Sequence, residues 1–117
     1  MEMTIEFLDE YVRTGKEKAG AVSALSMHLD DRQELHGTAL GEKLEAVKED
    51  VIFVLRAQKL VEKTEGKIAS AEKRGFATPL EIHQAKEQLL ASSKLTNLAL
   101  DDVLTELRDI EKEMKGE

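Results

Sequence analysis

Three histidines, His28, His36 and His83, are the first places to look for acid–base or metal chemistry. None belongs to an H-x-x-x-H or H-E-x-x-H pair, the spacing that sets two imidazoles on one helix face around a zinc ion. The Glu-x-x-His motif of di-iron bundles fails too, because the residues three positions earlier are Leu25, Gln33 and Leu80. His83 falls in the first turn of a helix, where a surface role is expected. Among the carboxylates, Glu49 and Asp50 on one long segment would lie near Asp101, Asp102 and Glu106 on another if the chain folds back on itself. Oxygen clusters of that kind can hold a hard divalent cation. Adjacent helical residues do not point the same way, however, so these acids read as solvated flanks. Ser23, Ser26, Ser92 and Ser93 have no base that spacing nominates, as a nucleophile requires. The sequence has no cysteine, which removes thiolates, disulfides and Cys-based zinc sites. Nor does it carry a Gly-rich phosphate loop. The expectation is a protein with no catalytic residue, no metal and no cofactor.

Composition points the same way. Seventeen basic residues stand against 24 acidic ones, for a net charge of -7. Such a chain repels nucleic acid and anionic lipid at long range. Its most basic stretch, from Gly66 to Arg74, is interrupted by Glu72 and preceded by Glu65. The start, Met1-Glu2-Met3-Thr4-Ile5-Glu6, lacks the basic-then-apolar order of a signal peptide. The longest apolar run, Val51-Ile52-Phe53-Val54-Leu55, is far too short to span a bilayer, so membrane insertion is not expected. A cytoplasmic protein is expected. Aromatics are only 3% and Trp is lacking, so the core must be aliphatic, which suits helix-on-helix packing.

The elements that position these residues are helices. Around the only proline, Thr78 fits an N-cap, Pro79 falls at N1 and Glu81 at N3 completes a capping box. Gly75 is placed to end the preceding helix in the left-handed conformation. Upstream, Leu40, Leu44, Val47, Val51, Val54, Val61 and Ile68 recur at steps of 4 and 3, with Gln58 and Glu65 filling two places. Downstream, Ile82, Leu89, Leu100, Val103, Leu107, Ile110 and Met114 do the same, with Ser93 and Thr96 filling the gaps. Folding at 75–77 brings the stripes into register, Val54 near Leu100 and Leu44 near Ile110. Gln58 then meets Thr96 and Asn97 in a buried polar layer that fixes register. The N-terminal third reads as two shorter helices, Thr4–Arg13 and Lys16–Leu35, broken near Gly15 and Gly20 and closed by Gly37. The fold class is therefore all-α: a single domain, residues 1–117, with N-terminal helices over 1–36 and a long antiparallel helical hairpin over 38–116. Together they form a three- or four-helix bundle, the N-terminal helices lying on the half of the hairpin far from its turn.

The corner Arg74-Gly75-Phe76-Ala77-Thr78-Pro79-Leu80-Glu81-Ile82-His83-Gln84-Ala85, followed by Leu89-Leu90-Ala91, resembles the periplasmic helical-hairpin tip of TolC-type outer membrane efflux proteins. In that family the tip docks adaptor proteins. The resemblance implies a docking surface at Gly75, Phe76, Thr78, Ile82 and Ala85, with Arg74 as a polar contact beside it. It covers roughly residues 65–116, and the chain lacks the family's barrel strands and paired hairpins.

Two helices cannot cover all the apolar residues lying off the seam. The helix Lys16–Leu35, about 30 Å long, reaches only about half of a 55 Å hairpin. The remainder, centred on Leu60, Leu90 and Leu95, is expected to face another subunit, most simply in a two-fold dimer, or a partner helical protein. The function expected is that of a non-enzymatic structural or protein–protein interaction bundle. The alternative is a regulatory bundle that binds a ligand or metal, with room for a ligand beside the small residues Ala85, Ala91, Ser92 and Ala99.

Overall fold

A computed structural model describes residues 2–32 and 35–116. A 3-10 segment, Glu2–Phe7, leads into helix α1, Leu8–Asp30, and two 36-residue helices follow, α2 at Ala39–Arg74 and α3 at Pro79–Met114. All three helices pack against one another, and no strand occurs among the described residues. The molecule is an elongated three-helix bundle measuring 56 × 24 × 17 Å. The all-α hairpin bundle is what the periodicity requires.

The corner forms as its residues dictate. Gly75 adopts φ 70°, and Phe76 N–H donates to Ala71 O at 3.0 Å, closing α2. Thr78 Oγ1 accepts from Glu81 N–H at 3.2 Å, while Glu81 Oε1 accepts from Thr78 N–H at 2.9 Å. Both orphan donors of the capping box are thereby satisfied. A second cap opens α2: Thr38 Oγ1 accepts from Gly41 N–H at 3.0 Å and donates to Leu35 O at 2.6 Å.

The N-terminal third differs from the expected pair of helices. One helix of 23 residues runs straight through Gly15 and Gly20. A helical glycine costs about 1 kcal/mol relative to Ala. Breaking the helix would sacrifice the continuous face of Leu8, Val12, Val22 and Leu29, all buried, and each such side chain contributes about 1.5–3 kcal/mol. Gly15 in fact serves as a point of close approach, since a Cβ there would collide with the Gln58 side chain. The helix ends at Asp30, before Leu35, which is buried within the connection to α2.

The position of α1 also corrects the expectation that the far half alone is covered. Leu8 and Val12 join Val61, Ile68, Ile82, Leu89 and Leu90 in a core near the tip. Val22, Leu29 and Leu35 join the far core of Leu44, Val47, Val51, Val54, Leu100, Val103, Leu107 and Ile110. A helix of this length spans about 35 Å, enough to touch both cores.

Between the cores lies the polar layer, and its bonding is not what the hairpin register alone suggested. Gln58 is 1% exposed, and its Nε2 donates to Val12 O at 3.2 Å and to Glu62 Oε2 at 2.9 Å. Asn97 Nδ2 donates to Tyr11 O at 3.1 Å and Ser93 O at 3.0 Å. Thr96 Oγ1 donates within its own helix, to Ser92 O at 2.8 Å. The amides of α2 and α3 thus grip the backbone of α1 rather than each other, and what they fix is the position of α1 along the hairpin.

Candidate interaction surface

The residues first considered for chemistry are scattered. His28 and His36 are exposed, and His83 faces Glu87 one turn on, at 3.7 Å. Glu49, Asp50, Asp101, Asp102 and Glu106 are all exposed, and Asp101 pairs with Lys18 of α1 at 3.0 Å. Among the described residues, no group of three or more His, Asp or Glu side chains converges to hold a metal ion. Ala91 and Ser92 are exposed, Ala85 and Ala99 only half-buried, so these small residues do not enclose a ligand cavity. The larger groove, about 660 Å³, lies instead between α1 and α3, beside Tyr11, Lys94, Asn97 and Leu98, and opens to solvent.

One perturbed acid, Glu65, is not evident as such from the sequence. Asp9 of α1 approaches Glu65 of α2, and the Glu65 carboxyl is pushed up to about 7. Burial is the largest cause, followed by the hydrogen bond and charge of Asp9 and then the charge of Glu62. Glu65 Oε2 is buried with no donor among the described residues, so its surroundings favour the neutral carboxyl. Glu65 is visible in the sequence as a polar interruption of the α2 stripe. Asp9 could be assigned to it only once the placement of α1 was known.

At the tip, Arg74, Gly75, Phe76 and Thr78 are exposed, and the Arg74 guanidinium sits 5.8 Å from the Phe76 ring centroid. Ile82 is buried in the tip-side core, and Ala85, half-buried against it, lies along the α2/α3 groove rather than with the exposed residues of the turn. The six tip residues therefore do not make one surface. Thr78 is occupied in capping α3.

Three of the exposed apolar residues lie away from the tip on α2 and α3. Phe53 and Leu60 on α2 are 71% and 64% exposed, and Leu95 on α3 is 68% exposed. Leu90, expected beside them, is 5% exposed and belongs to the tip-side core. Its helical phase turns it toward α1, which reaches this level of the hairpin. Phe53 and Leu60 are a heptad apart and share a side of α2. Next to Leu60, a shallow groove of about 250 Å³ is lined by α2 and α3 alone, with Thr64, Ala85, Gln88 and Ser92 along it. The flank of α2 that meets α1 is a different one, marked by Glu62 beside Gln58 and by Lys48, which bonds Asp30 at 2.7 Å. The outer α2/α3 face is therefore the side of the hairpin that α1 leaves open, and its middle is apolar.

No known protein family, no curated protein and no solved structure matches the chain. No helix among the described residues is long and apolar enough to cross a membrane.

Proposed function

We propose that this chain is a non-catalytic interaction bundle that works by docking the outer α2/α3 face against another helical surface, a second copy being the simplest. The observation that supports this reading is the set Phe53, Leu60 and Leu95, three large apolar side chains held in the open by two long rigid helices. Single exposed leucines are ordinary. Phe53 and Leu60 a heptad apart on α2, with Leu95 on the neighbouring helix and an α2/α3 groove beside Leu60, fit the pattern of an interface centre. Burying each would contribute about 1.5–3 kcal/mol. The rim of that face is charged, as interface rims are. Sedimentation equilibrium at micromolar concentration tests the reading. A mass above the 13.1 kDa of the chain, reduced to it by Leu95→Glu without loss of helicity, is the expected result. A single species at the chain mass across the concentration range would refute self-association.

A further inference from the structure

We infer that the occupant of this face is a second copy laid antiparallel, with α2 running along the partner's α2 and the two tips pointing in opposite directions. The inference rests on the reading of the face as an interaction surface and adds its orientation and register.

The stripe at the centre of the face is Ala46, Phe53, Leu60 and Lys67, all exposed and spaced by heptads. Helix α2 runs from Ala39 to Arg74, so its midpoint falls between Arg56 and Ala57. The stripe is symmetric about that point. A two-fold axis lying in the interface and crossing α2 there sets Phe53 on the partner's Leu60, in both directions at once. The same operation sets Ala46 at the level of the partner's Lys67, and Glu49 beside the partner's Lys63 on the same flank of the stripe.

Charge selects this orientation over the alternative. Toward the tip, exposed Lys63 and Lys67 follow Leu60; toward the far end, exposed Glu49 and Asp50 precede Phe53. Beside that acidic half, α3 presents Asp102, Glu106 and Asp109, also exposed. Among the described residues, Lys63, Lys67, Glu49 and Asp50 enter no ion pair, so their charges are available to a partner. An axis along the hairpin would instead lay α2 on the partner's α3 with like ends together. Glu49 and Asp50 would then face the partner's Asp102 and Glu106, a juxtaposition of like charges that opposes association. The antiparallel arrangement puts the lysine half of α2 on the acidic half of the partner's α2 and keeps the apolar middle on the axis. Size permits it: the molecule measures 56 × 24 × 17 Å, so even its narrower long face exceeds the ~800 Å² per partner of a standard interface.

The sequence has no cysteine, so introduced thiols report orientation directly. Ala46→Cys and Lys67→Cys variants, oxidised separately and as a mixture, form the test. The mixture is expected to yield a covalent species at twice the chain mass. Each variant alone is expected to yield little, because like positions lie about 30 Å apart across the axis. Efficient linking of Lys67→Cys to itself would overturn the antiparallel orientation. Failure of the mixture to link, in a sample that sediments as a dimer, would overturn the register and leave the interaction reading standing. Failure to link in a sample that sediments at the chain mass would overturn both. An independent arm uses charge. Lys63→Glu and Glu49→Lys are each expected to weaken self-association about tenfold, and their equimolar mixture to recover it, because the mixed dimer restores both opposite-charge contacts. No recovery in the mixture would overturn the pairing.

Discussion

Replacing Gly15 and Gly20 of α1 by alanine is expected to change stability in opposite directions, although the two substitutions are chemically identical and lie in one helix. Both glycines are interior to α1 and neither has a positive φ, so alanine is favoured by propensity at each, by about 1 kcal/mol. At Gly20 a Cβ meets nothing within 4 Å, and the full gain is available. At Gly15 the new methyl collides with the end of the Gln58 side chain. That amide cannot swing freely: it is 1% exposed and bonded to Val12 O and Glu62 Oε2. Displacing it breaks a buried hydrogen bond and strands a polar group, at about 1–3 kcal/mol. Gly20→Ala is thus expected to stabilise by about 0.5–1 kcal/mol, and Gly15→Ala to be neutral or to destabilise by up to about 2 kcal/mol. Urea unfolding followed by circular dichroism measures both, read from the midpoint with m held constant. The double variant Gly15→Ala/Gln58→Ala should be non-additive, because removing the amide removes the clash. Equal stabilisation by the two single alanines would refute the account of Gly15 as the place where α1 admits Gln58.

Thr78→Ala should cost about 1 kcal/mol in the same assay through loss of the cap on α3. Leu90→Ala should cost about 2–5 kcal/mol by opening the tip-side core, whereas Leu95→Ala should leave the folded subunit within about 0.5 kcal/mol; equal costs would contradict the assignment of one to the core and the other to the face. Glu65 makes stability depend on pH. Because the folded-state pKa of Glu65 is raised from 4.5 to about 7, its contribution is fully present below about pH 4.5 and is lost as pH rises through 7. Glu65→Gln should therefore flatten the decline between those values and raise the unfolding midpoint at pH 8, and an unchanged pH profile would show that Glu65 does not titrate in that range.

Much of the fold is local physics and was legible in the chain. Thr78, Pro79, Glu81 and Gly75 specify the corner because caps and left-handed turns are decided by a few neighbouring residues. The 4–3 stripes specify the seam because a helix repeats every 3.6 residues whatever surrounds it. The exposure of Leu60 and Leu95 followed from their phase relative to that seam. What only the tertiary structure decided concerns α1. Two glycines read as breakers when propensity alone is weighed, yet α1 continues through them because its apolar face is buried against both cores. Its lengthwise position was equally hidden, since neither its pattern nor the hairpin's names the carbonyls that Gln58 and Asn97 will grip. From that one placement follow the burial of Leu90, the approach of Asp9 to Glu65 and the choice of which hairpin face stays open. Sequence periodicity fixes the angle of a side chain about its own helix, whereas the choice of neighbour at that angle depends on contacts between residues distant in the chain.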